Sequence, residues 1–430
     1  MSVDYAIEYR PLAAAEAIVS GGLGAGYRKL WTASAISNLG DGVTLVAAPL
    51  LASSLTRDPL LVAGAVFVKQ FGWVLFSLHA GALIDRLDRR RLMGYVDFFR
   101  ALTIGFLGIS ILLDFVSIPL MYVVFFLVGA AEPLFDNASI AVLPAVVNRD
   151  ELQRANGRLA VAQIVMGEAL GPPLGGFLFA AAAVLPFLLD ACTFAAAAAL
   201  VLAMRGRFRV ERTEGAVATT LSQEIGEGLR WLTKHRLLLT LALMLGTAGF
   251  AVEGVFAILV LYAQRVLDLG SVGFGILMTS FAVGGLAGGL LAERISVLLG
   301  VGRMIWMIFA LQAVAFAILA LATNPFLAGA MIVLAALAGT VWNVATVSLR
   351  QELIPDQLLG RVFSAFRIFG FAGMALGALT SGLLAREFGI TVSYWTAAAI
   401  MATLSIFCMV LINNRVVERA RDQARAQASD

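Results

Sequence analysis

From about residue 29 onward the chain is a succession of long apolar runs broken by glycine, proline or charge. Roughly 20 apolar residues of helix cross the hydrocarbon core of a bilayer, and the runs have about that length. They are continuous, where barrel strands would alternate with period two, so they predict transmembrane helices. Six are expected at about 29–53, 61–84, 92–114, 118–142, 157–181 and 184–205. Six more follow at about 238–263, 271–293, 303–323, 325–348, 361–385 and 390–413. The expected division is an N-terminal segment 1–28, a six-helix bundle 29–205, a linker 206–237, a second six-helix bundle 238–413 and a tail 414–430.

Composition agrees with an all-α membrane protein. Of 430 residues, 60% are hydrophobic and 14% charged, and the mean hydropathy is +0.90. A soluble protein of this length needs more charge on its surface. The cations sit in alternate loops. Arg86, Arg89, Arg90 and Arg91 form one group, and Arg149, Arg154 and Arg158 the next. Arg205, Arg207, Arg209, Arg212, Arg230, Lys234 and Arg236 form the third. The intervening loops hold Arg57, Arg265 and Arg386. The positive-inside rule puts the rich loops, and both termini, in the cytoplasm; Arg415, Arg419, Arg421 and Arg425 in the tail agree. Topology thus explains the net charge of +3 and the isoelectric point of 9.0, and no nucleic-acid partner is implied.

Residues 1–28 mix Asp4, Glu8, Arg10 and Glu16 among apolar positions. They lack a basic start followed by an apolar core, so no cleavable signal is expected and the first span serves as its own targeting signal. The glycine-rich run from Gly21 to Gly26 reads as a flexible lead-in, since no strand precedes it and no Lys-Ser/Thr follows, and no nucleotide site is expected there. An amphipathic stretch from Leu221 to Trp231 suits the membrane surface. Cys192 and Cys408 fall inside apolar spans, against a disulfide framework. His79 and His235 have no metal-ligand spacing. Without a Ser-His-Asp arrangement, a metal-binding helix or a Walker sequence, the chain predicts no enzyme, no cofactor and no nucleotide drive.

Two junctions are more specific. Gly81-Ala-Leu-Ile-Asp85-Arg86-Leu-Asp88-Arg89-Arg90-Arg91-Leu92 follows the second span, and a shorter copy, Gly289-Leu-Leu-Ala-Glu293-Arg294, ends the eighth. Gly157-Arg158 before the fifth span is echoed by Gly360-Arg361 before the eleventh. Such echoes describe two parallel repeats, an architecture of secondary transporters whose substrate site lies near the midplane between the repeats. The first junction resembles the loop signature of the major facilitator superfamily, G-x-L-a-D-R-x-G-R-R/K-x-x-L/I, with Asp88 where the family has glycine. The resemblance implies the major facilitator fold: twelve transmembrane helices in two six-helix, pseudo-symmetric bundles. It also implies a gating role for Gly81, Asp85, Arg86, Arg89 and Arg90, echoed by Glu293 and Arg294. Asp85 would cap a helix N-terminus in the other half, near Gly360-Arg361, and pair with Arg86 or Arg100. A solvated stop-transfer cluster is the plainer alternative.

In the fifth span, Gly167-Glu-Ala-Leu-Gly171-Pro172-Pro173-Leu174-Gly175-Gly176 resembles the G-x-x-x-G-P-x-x-G-G signature of drug and proton antiporters, which implies export. Glycines four apart admit another helix and proline bends the backbone, so a tightly packed, kinked helix is the reading without function. Asn38-Leu-Gly40-Asp41-Gly42 in the first span and Pro186-Phe-Leu-Leu-Asp190 in the sixth are similar to the macrolide-efflux and enterobactin-exporter group. The resemblance runs from about residue 28 to 413. Drug antiporters commonly carry arginine in R-x-x-Q-G in span four; here the region reads Gly129-Ala-Ala-Glu132-Pro133-Leu-Phe-Asp136-Asn137, with acids instead.

Ionisable groups within spans cost about 2.5–3.5 kcal/mol each at a helix centre on insertion scales, so they mark function by default. Asp41 lies about twelve residues past Lys29, about 18 Å deep at 1.5 Å per residue. Asn38 and Thr44 share its helix face, and Glu132 and Glu253 lie at similar depth. In the implied fold, spans one, four, seven and ten line the cavity, and the tenth brings Trp342 and Asn343. Since burial favours a neutral carboxyl, Asp41, then Glu132 and Glu253, are the candidates to exchange a proton or attract a cationic substrate. Lys69 is a candidate counter-ion for Asp41, or snorkels outward. Asp136, one turn from Glu132, is a candidate relay. Structural pairing is the alternative for each acid, and Glu168 and Asp190 read as structural. The expected protein is a proton-coupled exporter of an amphipathic small molecule, working by alternating access as a monomer in a bacterial inner membrane. Its expected partners are the substrate, protons and the bilayer. A proton-independent facilitator or lysophospholipid flippase, and a non-transporting sensor on the same fold, stay open as alternatives.

Overall fold

The computed structural model describes residues 23–84, 87–205, 208, 221–355, 358–412 and 414–429. These form helices joined by short turns, with no strand among the described residues. Twelve helices are long and apolar enough to cross a membrane. The first six are α1 (Gly24–Leu55), α2 (Pro59–Ile84), α3 (Arg89–Leu112), α4 (Ile118–Val146), α5 (Leu152–Ala181) and α6 (Leu185–Leu202). The second six are α7 (Arg236–Arg265), α8 (Ser271–Leu299), α9 (Val301–Leu321), α10 (Pro325–Leu353), α11 (Leu359–Phe388) and α12 (Ile390–Leu411). Two polar helices flank the second six: a linker helix, Leu221–Lys234, and a tail helix, Asn414–Ser429.

Packing repeats between the halves. In the first, α2 packs on α4, α3 on α4 and α6, and α1 on α5 and α6; in the second, α8 packs on α10, α9 on α10 and α12, and α7 on α11 and α12. The halves meet along two equivalent seams, α2 on α11 and α5 on α8. That exchange of partners is what a two-fold axis along the membrane normal produces. Large apolar side chains such as Leu290, Leu298 and Phe326 point outward, where lipid rather than water receives them. An even number of crossings leaves α1's start and α12's end on one side, called here the terminal side.

Local chemistry sets the helix ends. Asp88, which stands at the glycine position of the loop signature, is the N-cap of α3: its carboxylate accepts from the Arg91 N–H at 3.0 Å. An N-cap needs extended backbone and an oxygen acceptor, which glycine does not supply. Gly300 (φ 71°) and Gly389 (φ 94°) turn α8 into α9 and α11 into α12 in the left-handed region.

Three ends differ from expectation. α1 begins at Gly24, so Gly24–Gly26 is helix; Gly21 and Gly22 lie outside the described residues. It is held by long polar side chains reaching across: Tyr27 Oη donates to the Ala155 carbonyl (3.0 Å), Lys29 Nζ to that of Ala203 (2.7 Å) and Trp31 Nε1 to that of Arg158 (3.2 Å). The linker helix does not merely lie on the membrane. Leu232 is fully buried, Gly228 rests on the Arg361 backbone, and Arg361 donates to Glu227 at 2.6 Å. The tail also docks, through Arg421 to Glu352 (2.6 Å) and Asn414 to the Leu299 carbonyl (3.1 Å).

Within α5, residues Gln163–Leu170 form a π-helix rather than a simple proline kink. Pro172 and Pro173 lack N–H groups, so carbonyls four residues earlier lose their α-helical donors. Just before these prolines, the Gly171 N–H reaches back to the Met166 carbonyl, five residues away. The glycines of this stretch meet backbone directly. A Cβ on Gly42 would run into the Gly167 carbonyl, one on Gly171 or Gly175 into α1, and one on Gly176 into Ser271 of α8. Gly42→Val should therefore separate α1 from α5 at a cost of about 1–3 kcal/mol, the usual range for overpacking. A melting temperature within error of wild type in detergent would refute that.

Candidate functional site

A cavity of about 290 Å³ lies between the bundles, reached from the middle turns of α1, α2 and α7. Its polar lining is Asp41, Thr44, Lys69, Gln70, Asp190 and Glu253; Phe125, Phe256, Phe274 and Met278 supply much of the apolar part.

Arg100 organises the α1–α3–α6 side. Its side chain is 2% exposed, and Nη2 donates to Asp41 Oδ1 at 2.7 Å. Asp97, one turn earlier on α3, is fully buried with a carboxylate oxygen 3.8 Å from Nη1. Neither Asp97 oxygen has a hydrogen-bond partner. The guanidinium lies 4.0 Å over the Phe194 ring of α6, a desolvated cation–π contact. Asp190 of α6 accepts from Thr44 Oγ1 (2.5 Å) and Thr193 Oγ1 (3.3 Å). Gly40 makes this approach possible, because a Cβ there would strike Asp190 and Thr193.

On the α2–α4 side, Lys69 pairs with Glu132 at 3.3 Å. Gly129 lets the two helices close, its Cβ position being filled by the Lys69 carbonyl. Gln70 reaches across the bundles and donates to Glu253 of α7 at 3.4 Å.

Contacts between the bundles bracket the cavity. Away from the termini, Gln264 donates to Ser53 Oγ (3.1 Å), Arg265 to the Arg57 carbonyl (2.8 Å), and Arg386 pairs with Asp58 (3.5 Å). Toward the terminal side, Trp73 of α2 stacks on Phe371 of α11 with centroids 3.5 Å apart, and Arg367 lies 4.6 Å from the Trp73 ring.

The sequence profile of a family described as "Transmembrane secretion effector", of the major facilitator type, matches residues 24–429. The chain belongs to this family of the major facilitator superfamily. It is a transporter, not an enzyme. It is 25% identical over 402 residues to the multidrug efflux pump Tap of Mycolicibacterium fortuitum, covering 90% of this chain and 96% of that one. It is 27% identical over 432 residues to the MFS-type transporter YfiS of Bacillus subtilis, covering 92% and 95%. Among solved structures, a bacterial homologue of the iron transporter ferroportin in its inward-facing state superposes with a TM-score of 0.69 at 18% identity, over 90% of this chain and 98% of that one. The nucleoside transporter NupG superposes with a TM-score of 0.69 at 12% identity, over 89% and 98%. At such identities the likeness is one of fold.

The transporter brings Asp41, Lys69 and Glu253 to one cavity, with Glu132 held on Lys69. Other expected placements change. The partner of Asp41 is Arg100 and not Lys69, because α3 carries its guanidinium inward past Phe194. Arg100, expected as a candidate partner of Asp85, sits in mid-helix on Asp41, and Asp85 lies outside the described residues. Asn38 packs against Gly167 of α5 rather than lining the cavity. Trp342 is a core residue of the second bundle, 4.9 Å from the Phe309 ring, while Asn343 is exposed beside it. Asp136 is exposed and is not part of the cavity lining. Arg89 donates to the Ala141 carbonyl (2.8 Å) and Arg90 to that of Met204, both within the first bundle. Glu293 and Arg294 are exposed near the end of α8. Asp85 and Arg86 lie outside the described residues, as do the surroundings of Gly81. Gly167, Gly171, Pro172, Pro173, Gly175 and Gly176 all lie on the seam of α5 with α1 and α8 or in the π-segment beside it. The hydropathy pattern alone singles out neither Asp97 nor Gln70, and Asp190, expected to be structural, also lines the cavity.

Proposed function

We propose that this transporter exports an amphipathic small molecule in exchange for protons across a bacterial inner membrane, with both termini in the cytoplasm. The observation that carries the reading is the charge balance of the cluster around Arg100 and Lys69. Among the described residues, Asp41, Asp97, Glu132 and Asp190 are tied to or beside these two cations. Four carboxylates with two cations leave two negative charges at mid-depth. Uncompensated charge of that kind is expensive in a membrane, and is relieved by a bound proton or a cationic guest. Asp41 is the site where either arrives, since it faces the cavity with 37% of its side chain exposed while Arg100 is enclosed. Protonation of Asp41 frees Arg100 to turn to Asp97, and that change is passed to α3 and α6. The apolar wall of Phe256, Phe274 and Met278 suits the greasy part of a drug-like molecule. The efflux activity named for Tap supports the direction of transport. Glu253 and Gln70 sense the other bundle, while Asp85, Arg86 and the Glu293-Arg294 pair act at the gates.

The test is reconstitution into liposomes holding a pH dye, with an imposed proton gradient and panels of cationic drugs, macrolides and lysolipids. Substrate-induced proton flux is expected for one panel in wild type, and its loss in Asp41→Asn with substrate binding retained. Substrate movement without proton flux would sink the antiport reading and leave a facilitator or flippase.

A further inference from the structure

A second cavity, of about 540 Å³, opens on the terminal side of the second bundle. Its wall is assembled where the linker helix runs into α7, where α10 and α12 end, and from one face of the tail helix. Lys234, His235, Arg236 and Arg419 bring basic side chains to it, and no acid is part of the lining. The ring of His235 is fixed by stacking on Trp231 at 3.7 Å and by a 2.9 Å hydrogen bond between Nδ1 and the Trp231 carbonyl. Lys234, Arg236 and Arg419 have no carboxylate partner among the described residues, while Arg421, half a turn from Arg419, is neutralised by Glu352. Cations gathered around a hollow and left unpaired are arranged for an anion.

The remaining wall is apolar and continues outward along α12, where Val410 is 67% exposed toward the bilayer. The cavity therefore joins a basic pocket, at the depth where spans end, to a hydrocarbon-facing groove. We infer that it binds the phosphate headgroup of an anionic phospholipid, with the acyl chains running along α12. Basic pockets between helices at this level attract such headgroups. A free anion would use the cations but not the groove. Because Lys234 belongs to the linker helix and Arg419 to the tail helix, one lipid would hold both surface helices against the second bundle.

The experiment is native mass spectrometry of the full chain with phosphatidylglycerol and phosphatidylcholine of identical acyl chains, for wild type and for Arg236→Gln/Arg419→Gln. Both residues are exposed, and the lipid-free melting temperature checks that the double variant folds. Wild type should retain phosphatidylglycerol over phosphatidylcholine, and the double variant should lose on the order of tenfold of that preference. Equal retention of the two lipids, or a preference unchanged in the variant, overturns the proposal. Displacement of phosphatidylglycerol by millimolar inorganic phosphate also overturns it, in favour of a free-anion site. None of these outcomes depends on what the central cavity transports.

Discussion

Arg100→Met should lower stability by about 3–5 kcal/mol, the range for breaking a buried ion pair from one side. The methionine would fill much of the same space but leave Asp97 without its ion-pair partner and Asp41 without its 2.7 Å bond. Asp97 has the most to lose, because its oxygens have no hydrogen-bond donor and Arg100 is its ion-pair partner. Thermal unfolding of the purified protein in detergent measures the loss. Adding Asp97→Asn to Arg100→Met should restore part of it, since one uncompensated charge is then gone. A double variant that melts no higher than the single one would show that charge is not what holds this cluster. Asp97→Asn alone should cost less than Arg100→Met, because it leaves the Asp41–Arg100 bond in place.

Trp73→Ala is expected to act at once on stability and on access. The indole is 5% exposed and contacts both Phe371 and Arg367 of α11. Removing a buried tryptophan side chain costs about 3–5 kcal/mol where the site cannot collapse. Here the gap lies between bundles, so part of the loss should appear as opening rather than unfolding. A cysteine placed at Ala48, on the cavity wall, reports the difference in a background where exposed Cys192 is serine. Labelling from the terminal side should speed up in Trp73→Ala and slow again in Trp73→Phe. Equal rates in all three would mean that Trp73 does not close that route.

Much of the architecture was readable from the sequence because the bilayer imposes one length on every crossing. Where a helix left the apolar slab, that ruler failed. Tyr27 and Arg28 are polar enough to look like flanking chain, yet α1 runs back to Gly24, tied down by the hydrogen bond of Tyr27 to the Ala155 carbonyl. The acids of the cavity announced themselves by being charged in apolar runs. Their partners did not, because pairing depends on how helices rotate about their axes. In a helix that is apolar all round, hydropathy does not fix that rotation. Trp342 was misplaced for this reason. The cation of Asp41 did carry a signal: Asp97 and Arg100, three residues apart within the third predicted span, form an intrahelical pair. Such a pair inside an apolar run argues for burial at mid-depth.

The inter-bundle seam of α5 against α8 is backbone on backbone at Gly176 and Gly275, whose Cβ positions are filled by main-chain atoms of Ser271, Pro172 and Pro173. Helices whose side chains mesh have a register, and turning one against the other means lifting ridges out of grooves. A seam without side chains has no teeth. Along this line one bundle can roll on the other with little change in contact energy, in the manner of a plain bearing. The resistance to turning then resides in the polar ties at Ser53, Arg57 and Asp58 and in the Trp73 stack, which act as latches at either end of the shaft.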